Sequence, residues 1–138
     1  MLNAVLIDAG PLVALFDKDD KYHVKIKDFI LLNKYKFITT VAVITEAAHM
    51  LNFSINAQID LFEWISNNGV ILCEIDNGDI SEIIKLTRKY FDIPMDFADA
   101  SLVIAAQKNR IKTIISIDND FEIYRLPGKV KIKNIFKY

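Results

Sequence analysis

The feature that most constrains the fold of this 138-residue chain is the alternation of short apolar runs with longer segments of helical period. Short apolar runs are typical of buried strands, and apolar residues three or four positions apart are typical of helices. The sequence predicts strands at residues 5–7, 37–38, 70–75, 113–117 and 130–136. It predicts helices that begin near Pro11 and that cover about 21–33, 40–51, 54–66, 79–91 and 97–107. Strands separated by helices of this length predict an α/β sandwich with a parallel sheet.

Composition is that of one globular domain spanning residues 1–138, because 52% of the residues are hydrophobic, 25% are charged and no low-complexity linker divides them. No apolar stretch reaches the ~20 residues that a membrane span needs. The first residues lack the basic region of a signal peptide. Cys73 is the single cysteine, which favours a reducing, cytoplasmic setting and a buried thiol. With a net charge of −1, any binding of nucleic acid must be local.

Acidic residues interrupt the most apolar segments of the chain, and none of these segments contains Lys or Arg. The segments are NAVLIDAGPLVALFD with Asp8, TTVAVITEAAHMLN with Glu46, PMDFADASLVIAAQ with Asp96 and Asp99, and TIISIDNDF with Asp118 and Asp120. Burial of an unpaired carboxylate is unfavourable by several kcal/mol. Mg²⁺ and Mn²⁺ prefer oxygen ligands, so a divalent ion would compensate these charges. The pattern therefore predicts a metal site built from acids.

Each acid also has a simpler interpretation as a local structural residue. Asp8 follows a predicted strand, where an Asp is commonly a turn or cap residue. Asp96 is favoured as the cap of the helix that follows it, with Asp99 in the first turn. Asp118 begins the sequence Asp-Asn-Asp, which is typical of an Asx turn. Glu46 has no such interpretation, because an unpaired Glu is almost never fully buried.

The four segments together resemble PIN-domain nucleases, most closely the single-domain VapC-type toxin ribonucleases. The resemblance is carried by LIDAGPLVALFD, VITEAAHML, MDFADASLVIAA and SIDNDF, in this order over essentially the whole chain. It implies a three-layer α/β/α sandwich around a central, mainly parallel sheet of about five strands. It also implies a Mg²⁺- or Mn²⁺-dependent endoribonuclease that hydrolyses RNA phosphodiester bonds, forms homodimers and is controlled by an antitoxin protein.

The resemblance also assigns roles to individual residues. It implies that Asp8, Asp99 and Asp118 coordinate the metal and that Glu46 binds a second ion or orients the attacking water. Three auxiliary residues are expected beside them, namely Asp96, Asp120 and Ser116. Ser116 keeps a hydroxyl where many members of the family have Thr.

Other functions remain open at this stage. A receiver-like signalling domain also combines a parallel sheet with acids at strand ends, although this chain lacks the acidic pair after the first strand and a suitably isolated Lys. A PIN-like module that only binds RNA or a partner is a further alternative. The spacing Glu46-x-x-His49 occurs in di-iron helical bundles, but the second Glu-x-x-His pair that such a site needs is missing.

Surface residues give weaker signals for RNA binding. Lys129, Lys131 and Lys133 alternate with apolar residues, which is typical of a protected edge strand and less typical of an RNA contact. Arg110 and Lys112 are alternative phosphate contacts. The aromatic residues considered fall at helical or core spacings and predict no base-stacking surface; they are Phe29, Phe37, Phe53, Phe62, Trp64 and Phe91.

Overall fold

The computed structural model describes residues 3–93 and 95–138. The prediction that the chain starts without a signal peptide includes Met1 and Leu2, which lie outside the described residues. Pro94, which precedes the last predicted helix, lies outside them as well. The strands are β1 (Ala4–Ile7), β2 (Lys36–Thr39), β3 (Ile71–Leu72), β4 (Thr113–Ile115), β5 (Arg125–Leu126), β6 (Val130–Lys131) and β7 (Lys133–Asn134). The helices are α1 (Ala9–Phe16), α2 (His23–Leu32), α3 (Val41–Met50), α4 (Ile55–Ser66), α5 (Ile80–Lys89) and α6 (Phe97–Asn109).

Five strands form the central sheet in the order β3-β2-β1-β4-β7, and every neighbouring pair in it is parallel. Val5 lies opposite Phe37, and Leu6 lies opposite Ile114, which sets the register of β1 against both of its neighbours. β5 and β6 form a separate antiparallel pair. The predicted five-stranded, mainly parallel sheet is confirmed, and the carboxyl ends of its strands share one edge.

The strand order also excludes a receiver-like fold. In the flavodoxin-like order 2-1-3-4-5, which receiver domains share, the first strand lies between the second and the third. In this protein β1 lies between β2 and β4. The receiver interpretation is therefore wrong.

Helices cover the sheet as in an α/β/α sandwich. α1 packs against α2, α3 and α4, and α6 packs against α3 and α5. The core contains Leu6 and Ile7 of β1 together with Ile114 and Ile115 of β4, all of them fully buried. α6 is buried along Ala98–Ala106, which explains why its sequence shows no polar face.

Three elements differ in their bounds from the predictions. α1 begins at Ala9, before the predicted start, because the Asp8 side chain accepts a hydrogen bond from the Ala9 amide and caps the helix. The strand predicted at residues 130–136 is divided between β6 and β7, which belong to different sheets. The strand predicted at 70–75 shortens to β3, where Ile71 is 41% exposed at the sheet edge.

Several apolar residues of two helices are exposed. On α2, Val24 and Leu31 are exposed, and on α4 so are Ile55 and Phe62. Cys73 is half-buried, so the prediction of a buried thiol is wrong. Within the described ranges, no helix combines the length and apolar character needed to cross a membrane.

Candidate active site

Asp8 lies at the carboxyl end of β1, where the chain turns directly into α1. Its Oδ1 accepts a hydrogen bond from the Ala9 amide at 2.8 Å, and its Oδ2 accepts one from the Ser116 hydroxyl at 3.1 Å. Only 4% of the residue is exposed. Burial, together with the negative charges of Asp118 and Asp99, raises the pKa of Asp8 from 3.8 to about 8. The cap interpretation of Asp8 is confirmed, yet capping leaves a buried acid that forms no ion pair with any described residue.

Asp96 and Asp99 belong to the first turn of α6. Asp96 Oδ1 accepts a hydrogen bond from the Asp99 amide at 2.8 Å, which confirms Asp96 as the helix cap. Asp99 is buried, and its Oδ2 accepts a hydrogen bond from the Tyr124 hydroxyl at 3.0 Å. Burial, followed by the charge of Asp96, raises the pKa of Asp99 to about 7. The capping geometry accounts for Asp96 but does not explain the burial of Asp99.

Asp118 lies beyond the carboxyl end of β4 and is exposed. Its Oδ1 accepts a hydrogen bond from the Asp120 amide at 2.9 Å, which confirms the predicted Asx turn. The Ser116 hydroxyl accepts a hydrogen bond from the Asp118 amide at 3.3 Å. Because Ser116 also contacts Asp8, one hydroxyl links the ends of β1 and β4.

Glu46 lies on α3 and is half-buried. Burial raises its pKa, and the negative charges of Asp96 and Asp118 raise it further. Asp118 is thus a common neighbour, since its charge raises the pKa of Asp8, Glu46 and Asp99 alike. The fold brings together four acids that are distant in the sequence.

No basic side chain neutralises this group in the described part of the chain. The ion pairs there join Lys85 to Glu82, and Lys108 to Asp76 and Asp79. These pairs lie on or beside α5 and involve none of the four acids. The site therefore has a strongly negative local field although the net charge of the chain is close to zero.

The chemistry of the donor set fits a hard divalent cation. All four acids offer carboxylate oxygens, which suit Mg²⁺ or Mn²⁺, and a cation would replace the protons that burial retains on Asp8 and Asp99. Among the described residues, no three His, Cys, Asp or Glu side chains are already close enough together to hold one ion. An ion would have to draw the more exposed carboxylates, those of Asp118 and Glu46, toward the buried pair.

A cavity of about 670 Å³ opens beside the acids, between α3 and the start of α6. It is lined by Val41, Ala42, Thr45, Glu46, His49, Asp96, Phe97 and Ala98. His49 is exposed at the wall of this cavity. The di-iron alternative has no support, since no second Glu-x-x-His pair exists in the sequence.

Two residues of this region were missed by the sequence reasoning. Tyr124 is fully buried, and its hydroxyl donates to Asp99 from a loop 25 positions away in the sequence. A tyrosine in an apolar segment suggests a buried hydroxyl that needs a partner, but its spacing does not identify the partner. Phe97 is 53% exposed at the start of an otherwise buried helix, where the apolar sequence suggested core packing.

The basic residues considered for RNA binding lie away from the acids or at an edge. Arg110 and Lys112 precede β4 and are therefore at the amino end of that strand, whereas Asp118 follows its carboxyl end. Lys133 lies on β7, an outer strand of the described sheet, in agreement with an edge-protecting role. Lys131 pairs with Arg125 in the small antiparallel sheet.

Comparisons with known proteins agree with the fold. The family model of the PIN domain matches residues 5–126, which include all four acids. Ribonuclease VapC26 of Mycobacterium tuberculosis (strain ATCC 25618 / H37Rv) is 22% identical over 116 residues, which are 83% of this chain and 86% of that protein.

A crystal structure of VapC20 from Mycobacterium tuberculosis, a toxin that cleaves the sarcin–ricin loop, is similar with a TM-score of 0.78 at 16% sequence identity. The match covers 86% of this chain and 93% of that one. The sheet order, the placement of the acids and the extent of the family match lead to one assignment: this chain belongs to the PIN domain family.

Proposed function

We propose that this protein is a metal-dependent endoribonuclease that hydrolyses RNA phosphodiester bonds, and that it is the toxin of a toxin–antitoxin pair. Its membership of the PIN domain family and its likeness to ribonuclease VapC26 and to the toxin VapC20 support this function. Its proposed compartment is the cytoplasm, where cellular RNA is the substrate. A non-catalytic PIN-like module is the alternative that the cleavage assay below tests.

One observation carries the proposal. The charge of Asp118 raises the pKa of three other acids from separate elements, and no cation neutralises any of them in the described ranges. A purely structural protein gains nothing from such repulsion, which opposes folding. Clusters of this kind occur where an ion is to be bound, and perturbed carboxyls mark functional sites.

In this proposal Asp8, Asp99 and Asp118 hold Mg²⁺ or Mn²⁺, and Glu46 binds a second ion or orients the attacking water. The ion, when bound, activates water and stabilises the negative charge that develops on the phosphate. Ser116 orients Asp8 through its hydroxyl, with Asp96 and Asp120 as charged neighbours of the site.

Cleavage of RNA by the purified protein tests the function. We expect cleavage with Mn²⁺ or Mg²⁺, none with EDTA, and a loss of orders of magnitude in Asp8→Asn, because a neutral amide is a poor ligand for a hard cation. Asn remains a good helix cap, so this variant should fold. Asp28→Asn, at an exposed position of α2, is the matched control and should cleave normally. Equal cleavage by wild type and Asp8→Asn would indicate a contaminant and refute the function.

We also propose that the protein forms a two-fold homodimer and binds an antitoxin protein. Exposed apolar side chains on α2 and α4, such as Leu32 at 82% and Ile55 at 72%, support a protein interface. Sedimentation velocity at micromolar concentration should show a dimer, and a monomer without any partner would contradict it. A short basic protein encoded just upstream, which should inhibit cleavage when co-expressed, is the expected antitoxin.

A further inference from the structure

Phe97 is an aromatic side chain that the fold leaves in solvent beside the acids. It is 53% exposed, whereas the residues from Ala98 to Ala106 that follow it on α6 are buried. Burial of a phenyl side chain would stabilise the fold. A single exposed ring is common on protein surfaces and does not by itself indicate a binding site. The cavity that Phe97 lines is the feature that does.

The cavity combines an apolar wall with an acidic border. Phe97, Ala98 and Ala42 contribute apolar surface, as does Val41, which is 61% exposed. Glu46 and Asp96 line the same cavity. Its volume of about 670 Å³ lies within the range of ~300–1,000 Å³ typical of ligand sites.

The residues that line the cavity favour a base of an RNA chain over its phosphate. A phosphate would be repelled by Glu46 and Asp96, whereas a neutral aromatic base stacks favourably on a phenyl ring. Carboxylates accept hydrogen bonds from the amino groups of bases. Phe97 follows Asp96, which caps the helix turn that carries Asp99, so the ring lies within a few residues of a proposed metal ligand. Glu46, which belongs to the proposed site, itself lines the cavity, so a base attached to a phosphate at the acids would lie next to it.

We propose that the cavity is a nucleobase subsite, in which an unpaired base next to the cleaved phosphodiester stacks on Phe97. This inference rests on the proposed ribonuclease function and adds to it a preference for unstacked, single-stranded or looped RNA. Phe97 is then a specificity residue that binds substrate without taking part in bond cleavage.

Cleavage kinetics on a short single-stranded RNA test the subsite. Phe97→Ala should lower kcat/KM by about 5- to 150-fold, which corresponds to the ~1–3 kcal/mol that stacking of a base on an aromatic ring contributes. Phe97→Trp should keep a kcat/KM close to that of the wild type. Phe97→Leu, in which the new side chain is apolar but lacks a ring, should lose about as much kcat/KM as Phe97→Ala. The matched control is Phe91→Ala, because Phe91 is 83% exposed and lies outside the cavity lining.

An abasic substrate separates base stacking from a general packing effect. Removal of the base beside the cleaved bond should slow the wild type to the rate of Phe97→Ala and should slow that variant no further. Equal kcat/KM for wild type and Phe97→Ala on the intact RNA would overturn the subsite while leaving the nuclease function in place. If kcat/KM is equal and Phe97→Ala instead binds a co-expressed protein partner more weakly, the cavity holds a side chain of that partner. This outcome would also overturn the nucleobase subsite.

A binding measurement makes the subsite testable without cleavage. An RNA that carries 2-aminopurine should change its fluorescence on binding to the Asp8→Asn protein, and the added substitution Phe97→Ala should remove that change. If the wild type cleaves no RNA but this Phe97-dependent signal is present, the subsite stands and the proposed nuclease function fails. If the signal is the same with and without Phe97, the subsite is refuted.

Discussion

Replacement of Asp99 by Asn tests the electrostatic account of the site without any substrate. Asp99 is 9% exposed, and its pKa rises from 3.8 to about 7 on folding. A carboxyl whose pKa is raised on folding binds its proton more tightly in the folded chain, so its ionisation destabilises the fold as the pH increases from 3.8 toward 7. Above both values, this shift corresponds to about 4 kcal/mol for the metal-free protein.

The free energy of unfolding that Asp99→Asn gains is expected to be smaller than the value that corresponds to the full pKa shift. The variant loses a favourable interaction of about 0.3–1 kcal/mol with the helix dipole. It retains an acceptor for the Tyr124 hydroxyl, and its amide can donate to neighbouring carboxylates. We expect a net gain of about 2 kcal/mol at pH 8 in EDTA, or about 8 °C in Tm for a domain of this size. The gain should shrink as the pH falls and should vanish near pH 3.8, because wild-type Asp99 is then protonated in the unfolded chain as well as in the folded one.

Thermal melts between pH 4.5 and pH 8, with EDTA and with millimolar Mn²⁺, provide the assay. Mn²⁺ should stabilise the wild type, because an ion that binds only the folded state adds stability in proportion to its affinity, and it should hardly affect the variant. Asp28→Asn controls for the general loss of one negative charge. Lower stability of Asp99→Asn in EDTA at pH 8, or a gain that does not change with pH, would refute the reasoning and favour a purely structural role in the helix turn.

Two further substitutions test other parts of the structure. Tyr124→Phe should weaken Mn²⁺ binding by roughly 10-fold, because the hydroxyl that orients Asp99 is lost. Tyr90→Phe changes the neighbouring ring without touching an acid and should leave Mn²⁺ binding unchanged. Equal effects of the two substitutions in Mn²⁺ titrations would contradict the orienting role of Tyr124. Gly69→Ala should lower the free energy of unfolding in urea by about 1–3 kcal/mol, because a Cβ at this position would overlap the Trp64 indole. An unchanged urea midpoint would show that Trp64 moves aside freely.

Local features of the sequence were sufficient to predict most elements. Thr40, Ser54 and Asp96 each accept a hydrogen bond from an amide in the first turn of the following helix, and these helices begin close to their predicted starts. A cap and the helix it begins are separated by only a few residues, so the sequence contains the whole interaction. The acids could also be singled out from the sequence, because a charge without a nearby basic residue is anomalous in an apolar segment.

Contacts between distant residues could not be predicted in this way. Val24 on α2 and Phe62 on α4 are exposed, because periodicity shows that a face is apolar and does not show what covers it. The single strand predicted at residues 130–136 became two short strands with different partners, since strand pairing depends on the edges that the rest of the chain leaves available.

The sequence by itself determined the type and order of the elements and the identity of the acids, because these depend on interactions within a few residues. The tertiary structure alone decided that Asp118 lies near three other acids, that the Tyr124 hydroxyl donates to Asp99, and that Phe97 borders an open cavity. Each of these relations joins segments that only the parallel sheet and its packed helices bring together. Burial and charge at the site are collective properties of those segments, and the pKa of a carboxyl depends on all of them.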